Sequence, residues 1–246
     1  MRDEDLSVPP ASMGSTRSSA AGATAPALLT VLFDLDGTLA DTAPDMAYAL
    51  NRVRGEQGLL PLPYERIRPH VSHGASALLR LGLGLEPHEP RFESLRRQFL
   101  EIYRDHLTRE TRLFPGVAEL LDGIERRGMN WGVVTNKPAA LTQPLMEQLG
   151  LAARAACIVS GDTTAQRKPH PEPMLYACTQ AGSRVTQCLY VGDAQRDIEA
   201  GRQAGMHTLV ALFGYIGADE QPQHWGANGM IEHPLQILEW IDAHRG

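Results

Sequence analysis

Five short apolar runs, each ending at or followed by a polar residue or glycine, constrain the fold of this chain most strongly. In chain order they are LLTVLFD, WGVVTN, CIVSGD, CLYVGD and TLVALF. Continuous apolar runs of this length are typical of strands that are covered on both faces, as in a parallel sheet. Segments with helical periodicity lie between the runs. The chain therefore predicts βαβ units joined by right-handed crossovers.

One interval breaks this alternation, between the first run and the second. Residues 43–112 predict helices, in DMAYALNRVRGEQGL, ASALLRLGL and FESLRRQFLEIYRDHL, and no convincing strand. Pro44 lies at the entry to the interval, and Pro115 follows its exit, as expected of boundary positions. The predicted division is a helical domain at 43–112, inserted into an α/β core made of 27–42 and 113–246.

The first 26 residues differ in composition from the rest. They are rich in serine, alanine, glycine and proline, and they lack the apolar centre of a secretory signal. This composition predicts a disordered tail. Met13 is an alternative start to Met1.

Charge and composition narrow the classes of partner. The formal net charge is −6 and no lysine- or arginine-rich stripe occurs, which argues against nucleic acid. No apolar run approaches the ~18 residues that a membrane helix needs. The chain has three cysteines and no CxxC spacing, which is typical of thiols in a reducing compartment. We expect a cytoplasmic protein, monomeric or homodimeric, without a membrane partner.

Polar clusters lie at or just beyond the ends of four predicted strands. The carboxyl ends of parallel strands meet at one edge of the sheet, where ligands bind. Two buried carboxylates in close sequence repel one another, so a bound cation is the simplest reason for their presence. The clusters are, in chain order, Asp34 with Asp36, Thr135 with Asn136, Lys168, and Asp193 with Asp197.

The motifs DLDGTLADT, VVTN, KP and GDAQRD, in this order, resemble the four motifs of the haloacid dehalogenase-like superfamily. The resemblance covers nearly the whole chain after the tail, and the helical interval lies where that family places a small cap domain. It implies a Rossmann-like parallel-sheet core with an inserted all-helical cap domain. It also implies a Mg²⁺ cofactor and a small phosphorylated metabolite as partner.

The resemblance assigns the acids to catalysis and metal binding. Asp34 is expected to be the nucleophile that forms an aspartyl-phosphate. Asp36 is expected to donate a proton to the leaving oxygen and then to assist the attacking water. Mg²⁺ is expected to bind Asp34, the carbonyl of Asp36, and Asp193. Asp197 is expected to orient these groups or Lys168 without touching the ion; alternatively, it is an ordinary acid at a helix N-terminus.

The resemblance assigns Thr135, Asn136 and Lys168 to the phosphate. Thr135 would supply a hydroxyl and a backbone amide, and Lys168 a positive charge on the phosphoryl group. Thr135 and Asn136 could instead cap the helix that follows.

The segment HVSHGASALL resembles the cap loop that faces the substrate in phosphoglycolate phosphatase-type members of the family. His73 and Gly74 are therefore candidate substrate contacts. Those members usually carry glycine where this chain has Ser72. Arg68 and Arg80, together with His73, are candidate cations for a substrate carboxylate.

The resemblance favours a Mg²⁺-dependent phosphatase that hydrolyses 2-phosphoglycolate to glycolate and phosphate. WGVVTNKP, GYIGADEQPQHWGA and EHPL also resemble N-acetylmuramic acid 6-phosphate phosphatases of cell-wall recycling, which is the alternative. A sugar phosphomutase is a further alternative. A dehalogenase would need neither Asp36 nor Asp193, and a non-enzymatic module would need none of these acids.

Overall fold

The computed structural model describes residues 28–244, so the predicted tail at 1–26 and the alternative start at Met13 lie outside the described residues. Within 28–244, six strands form one sheet in the order β5-β4-β1-β6-β7-β8. Every pairing between neighbours is parallel. The strands are β1 (Thr30–Phe33), β4 (Asn130–Val134), β5 (Ile158–Val159), β6 (Cys188–Gly192), β7 (His207–Ala211) and β8 (Gly229–Ile231). The predicted Rossmann-like parallel sheet is confirmed.

Helices connect these strands as the periodicity predicts. Each presents an apolar stripe to the core; in α5, for example, Leu120, Leu121 and Ile124 are buried. The helices that follow the insert are α5 (Val117–Arg126), α6 (Ala139–Gln148), α7 (Glu172–Gln180), α8 (Gln195–Ala204) and α9 (Gln236–His244).

The central strand β1 explains the first apolar run. It pairs with β4 on one side and β6 on the other, and Val31, Leu32 and Phe33 are almost fully buried. The chain winds outward from β1 to β4 and β5, then crosses back to β6 on the other side. The carboxyl ends of β1, β4 and β6 therefore lie at the point where the strand order changes direction, which is the usual ligand site in such sheets.

A two-stranded antiparallel ribbon joins β2 (Ala40–Asp41) to β3 (Arg112–Leu113). The residues between the two strands form α1 (Ala43–Glu56), α2 (Tyr64–Ile67), a 3₁₀ turn at Arg68–His73, α3 (Gly74–Leu83) and α4 (Phe92–Arg104). We call residues 43–111 the helical insert; that it forms a separate cap domain stays a prediction.

A buried acid, Asp45, connects the two ends of the helical insert by hydrogen bonds. Asp45 in the first turn of α1 is fully buried, and its Oδ2 accepts hydrogen bonds from the backbone N and Oγ1 of Thr111, both at 2.8 Å. The backbone N of Glu110 donates to the same carboxylate at 3.0 Å. The two ends of the insert are thus held together beside the ribbon.

The sequence did not predict every short element. Arg112 lies in β3, although we assigned it to the end of the helical interval, and Gly229–Ile231 forms the edge strand β8. These strands have two or three residues, too few to show a periodicity. Among the described helices, none has the length and apolar character required to cross a membrane.

Candidate active site

The strand order brings the predicted polar clusters to one edge of the sheet. Asp34 directly follows β1, and its backbone N donates to the carbonyl of Val191 in β6 at 2.9 Å. Thr135 directly follows β4, and its backbone N donates to the carbonyl of Val159 at 2.9 Å. Asp193 directly follows β6. The carboxylates and the hydroxyl therefore emerge side by side from neighbouring strands.

An acidic cluster lies at the bottom of this edge. Among the described residues, oxygen atoms of Asp34, Asp193 and Asp197 lie within 4.8 Å of one another, and all three residues are buried. Burial and the charges of Asp34 and Asp197 raise the pKa of Asp193 to about 7. Burial likewise raises the pKa of Asp197. Without a cation, Asp193 and Asp197 resist ionisation, and a buried set of carboxylate oxygens of this kind fits a hard divalent cation such as Mg²⁺.

Lys168 is the counter-charge inside this cluster. Its side chain is fully buried, and Nζ lies 2.9 Å from Oδ1 of Asp34 and 2.7 Å from Oδ1 of Asp197. Nζ also donates to the carbonyl of Val134 and to the hydroxyl of Tyr190, both at 2.9 Å. Burial would raise the pKa of Asp34, but the charges of Lys168 and Arg196 outweigh burial and lower it. Asp34 is therefore held as a carboxylate.

Asp197 contacts Lys168 with one oxygen and the start of α8 with the other. Oδ2 accepts a hydrogen bond from the backbone N of Ala194 at 3.0 Å. This geometry suits the orienting role that we predicted for Asp197, and it also makes Asp197 an acid in the first turn of a helix. The two interpretations describe the same contacts.

Asp193 is held by donors from several segments of the chain. Oδ2 accepts hydrogen bonds from Oγ of Ser72 at 2.7 Å and from the backbone N of Tyr215 at 2.9 Å. Oδ1 accepts one from Oγ1 of Thr38 at 3.1 Å. Gly37 makes this approach possible, since its φ is +87° and a Cβ there would lie 2.2 Å from Oδ2 of Asp193. The glycine after Asp36 is required both by the turn and by the acid beside it.

The side chain of Asp36 turns away from the acidic cluster. Its Oδ1 accepts hydrogen bonds from Oγ1 of Thr42 at 2.6 Å and from Nζ of Lys137 at 2.8 Å. Lys137 also donates to the hydroxyl of Tyr103 in α4 at 3.0 Å. Burial would lower the pKa of Lys137, but Asp36 and Tyr103 outweigh it and raise that pKa. Asp36 and Asp34 are therefore close in sequence but have different hydrogen-bond partners.

The loop that carries Lys168 is fixed by Asn136. Nδ2 of Asn136 donates to the carbonyl of Lys168 at 2.9 Å, and Oδ1 accepts from the backbone N of Lys168 at 3.0 Å. Oγ1 of Thr135 accepts from the backbone N of Lys137 at 3.2 Å. The Asn136 side chain therefore positions the lysine loop, a role that the sequence did not predict.

A cavity of about 330 Å³ opens above Asp34 and Asp36, between the strand ends and the helical insert. Thr135, Asn136 and the predicted insert residues His73 and Gly74 line it. Lys168, Asp193 and Asp197 are buried beneath, at 3% exposure or less. The structure thus brings the predicted motif residues, together with His73 and Gly74, to this cavity or to the acidic cluster under it.

Two of the cations that we proposed for a substrate carboxylate are placed elsewhere. Arg68 donates to the carbonyls of Phe213 and Gly214, at 3.1 Å and 3.0 Å. Arg80 forms an exposed ion pair with Glu86 at 2.7 Å. Neither arginine lines the cavity. The prediction was wrong for both, because backbone carbonyls of the core bind Arg68 and an acid of the insert binds Arg80.

Other cations line the cavity instead. Within residues 28–244 these are Arg96 on α4, Lys137 after β4, Arg167 before Lys168, and Arg196 on α8. Lys137 lies within VVTNKP and Arg196 within GDAQRD, so the motifs contained them. None of the motifs contains Arg96. It lies on a helix, and only the fold shows which face of that helix is turned toward the cavity.

A carboxylate that a buried lysine holds ionised lies at the end of a central parallel strand, beside buried acids that could hold a cation; this arrangement is typical of α/β enzymes that use an aspartate as nucleophile. The model of one family, the haloacid dehalogenase-like hydrolases, matches residues 31–211. The chain belongs to this family, and its relatives make it a phosphoric monoester hydrolase.

The relatives bear two different names. The N-acetylmuramic acid 6-phosphate phosphatase of Pseudomonas aeruginosa is 43% identical over 215 residues, which cover 87% of this chain and 95% of the relative. The phosphoglycolate phosphatase of Xanthomonas campestris pv. campestris is 44% identical over 209 residues, which cover 85% of this chain and 94% of the relative.

The fold is shared with solved structures. A crystal structure of a predicted phosphoglycolate phosphatase from Haemophilus somnus 129PT superposes with a TM-score of 0.78 at 29% identity. The match covers 87% of this chain and 97% of that one.

Proposed function

We propose that this chain is a Mg²⁺-dependent phosphatase that works through an aspartyl-phosphate on Asp34. The observation that carries the proposal is the Asp34–Lys168 pair, at 2.9 Å, at the bottom of a cavity lined by cations. Lys168 keeps Asp34 ionised and places a positive charge beside the phosphoryl group. Asp34, Asp193 and the carbonyl of Asp36 would hold Mg²⁺, which would neutralise charge on the phosphoryl oxygens.

The first step is attack by a carboxylate oxygen of Asp34 on phosphorus. The bond from phosphorus to the ester oxygen breaks, and Asp36 gives that oxygen its proton. The donors from Thr42 and Lys137 both bind Oδ1 of Asp36, so we assign the proton transfer to Oδ2.

The second step returns the enzyme to its starting state. A water molecule gives a proton to Asp36 and attacks phosphorus, and the bond between phosphorus and Asp34 breaks. Inorganic phosphate leaves, with Asp34 again ionised and Asp36 again protonated. Thr135 and Lys137 lie beside Asp34 and Asp36 at the cavity wall, where they would bind phosphoryl oxygens.

The walls of the cavity bear on the choice of substrate. Met46, Val71, Leu100 and Leu141 give it apolar surface beside its cations. N-acetylmuramic acid 6-phosphate offers a sugar ring, an acetyl methyl and a lactyl methyl to such a wall, together with a carboxylate. 2-Phosphoglycolate offers one methylene. We therefore place the sugar phosphate first, although the sequence alone favoured 2-phosphoglycolate.

The size of the cavity keeps 2-phosphoglycolate as a second candidate. At about 330 Å³ the cavity is at the small end of ligand sites, which range from roughly 300 to 1,000 Å³. Arg96 and Arg167 would pair with the carboxylate of either substrate.

The test is release of inorganic phosphate from both substrates, measured side by side with Mg²⁺. We expect kcat/KM to be at least about tenfold higher for the sugar phosphate, the effect of placing a few methyl or methylene groups against apolar walls. A preference for 2-phosphoglycolate would reverse the order of the two substrates. The Asp34→Asn variant is the control, and turnover in that variant equal to the wild type would overturn the aspartyl-phosphate mechanism.

A phosphomutase is distinguished in the same assay. It would convert the sugar phosphate into an isomer and release no inorganic phosphate. Free phosphate in amounts equal to the substrate consumed excludes it.

A further inference from the structure

Ser72 connects the helical insert to the acidic cluster. Its hydroxyl donates to Oδ2 of Asp193 at 2.7 Å, across 121 positions in the sequence. Its carbonyl accepts a hydrogen bond from NH2 of Arg196, on the core helix α8, at 2.7 Å. The hydroxyl and the carbonyl of one insert residue are therefore both bound to core residues beside the acidic cluster.

The hydrogen bond from the Ser72 hydroxyl is the shortest of those that the Asp193 carboxylate accepts from the described residues. The other donors from the described residues, Thr38 and the backbone of Tyr215, are 3.1 Å and 2.9 Å away and belong to the core. Ser72 is the donor that the helical insert supplies. A hydrogen bond to a ligating carboxylate fixes its orientation and stabilises its charged form.

We propose that Ser72 is a positioning residue for Asp193, so that the affinity of the acidic cluster for a divalent cation depends on the insert lying against the core. The inference rests on the metal site of the proposed function. By reciprocity, a cation in the cluster holds the insert against the core as strongly as the insert favours the cation. The residue at position 72 thereby couples the cation to the segment that covers the cavity.

Substitutions at this position separate the hydroxyl from the backbone. Ser72→Ala and Ser72→Gly remove the donor, and Ser72→Thr keeps it. Ser94→Ala is the matched control, because Ser94 lies on α4 of the same insert, is exposed, and donates to the carbonyl of Arg91 in its own helix turn.

The first measurement is the binding of Mn²⁺ to the substrate-free protein, followed by the loss of the free-ion signal in electron paramagnetic resonance. We expect Ser72→Ala and Ser72→Gly to raise the dissociation constant about tenfold, at the lower end of the effect of groups that orient metal ligands. Ser72→Thr and Ser94→Ala should remain within about twofold of the wild type. Equal affinity in Ser72→Ala and the wild type would overturn the inference.

The second measurement is hydrogen exchange of the backbone amides of residues 68–76. Addition of Mg²⁺ should slow this exchange in the wild type and in Ser72→Thr, and the slowing should be smaller in Ser72→Ala. The same slowing in all variants would show that the cation acts on the insert without Ser72. Absence of Mn²⁺ binding to the wild type would overturn the metal site itself, and the inference with it, so the two failures are distinguishable.

Discussion

In the absence of a bound cation, the free energy of unfolding of this protein should decrease as the pH rises, because of Asp193. The residue is 1% exposed, and burial, with the charges of Asp34 and Asp197, raises its pKa to about 7. Between about pH 4 and pH 7 the folded state holds a proton that the unfolded state has released. The free energy of unfolding therefore falls as the pH increases through this window, the reverse of an aspartate with a lowered pKa.

The magnitude follows from the two pKa values. With about 7 in the folded protein and ~3.9 in the unfolded chain, Asp193 contributes roughly 2–3 kcal/mol more stability at pH 5 than at pH 8. Asp197 acts in the same direction, since its pKa is also raised. Asp34 has a lowered pKa, so its contribution is lost only below about pH 4, outside this range.

Two histidines change the free energy of unfolding with pH in the opposite direction, so their contribution must cancel in the comparison. Burial lowers the pKa of His73 and of His207, so each destabilises the folded state at acidic pH and ceases to do so as the pH rises toward 6.5. The Asp193→Asn variant keeps both histidines. The difference between the wild type and this variant therefore isolates the Asp193 carboxyl group.

The assay is urea unfolding in EDTA at pH 5 and pH 8, for the wild type and for Asp193→Asn. The stability change between the two pH values should differ between the proteins by roughly 2–3 kcal/mol, with the wild type losing more at pH 8. Saturating Mg²⁺ should stabilise the wild type more at pH 8 than at pH 5, because protons compete with the cation. Identical pH dependence in both proteins would refute the raised pKa of Asp193.

Other substitutions test the buried polar groups. Lys168→Met should abolish phosphate release and destabilise the fold by about 3–5 kcal/mol in urea unfolding, because it leaves Asp34 and Asp197 without their cation; stability equal to the wild type would contradict this. Asp45→Ala should reduce the free energy of unfolding by about 3 kcal/mol, because the donors of Glu110 and Thr111 lose their acceptor. Asp45→Asn keeps one acceptor oxygen, so its free energy of unfolding should fall less than that of Asp45→Ala. An equal decrease in both variants would indicate that packing, and not hydrogen bonding, is responsible.

The sequence could predict the sheet and the acidic cluster because both follow from short-range signals. An apolar run such as Val31–Phe33 must be covered on both faces, and a parallel strand places the next residue, Asp34, at the carboxyl edge. Asp193 after β6 obeys the same rule. Backbone geometry alone therefore determines where these side chains begin.

The partners of long side chains could not be predicted in this way. Lys137 and Arg196 each reach several ångströms from their own backbone, and the fold decides that they meet Asp36 and the carbonyl of Ser72. Arg68 was expected in the cavity but binds backbone carbonyls at 213 and 214 instead. A side chain with several donors pairs with whichever acceptors the tertiary structure brings near, and the sequence does not list them.

Tyr215, a residue of the core, also connects the helical insert to the acidic cluster. Its backbone N donates to Asp193, its hydroxyl donates to Oδ1 of Asp41 in β2 at 2.7 Å, and that hydroxyl accepts from the backbone N of Ala43 at 3.0 Å. The guanidinium of Arg68 lies 4.9 Å from the centre of its ring. One residue thus contacts the acid, the ribbon and the insert. Ser72 donates to the same oxygen of Asp193 as the backbone N of Tyr215, so a displacement of the insert would remove one of these two donors to Oδ2 and leave the core donor in place.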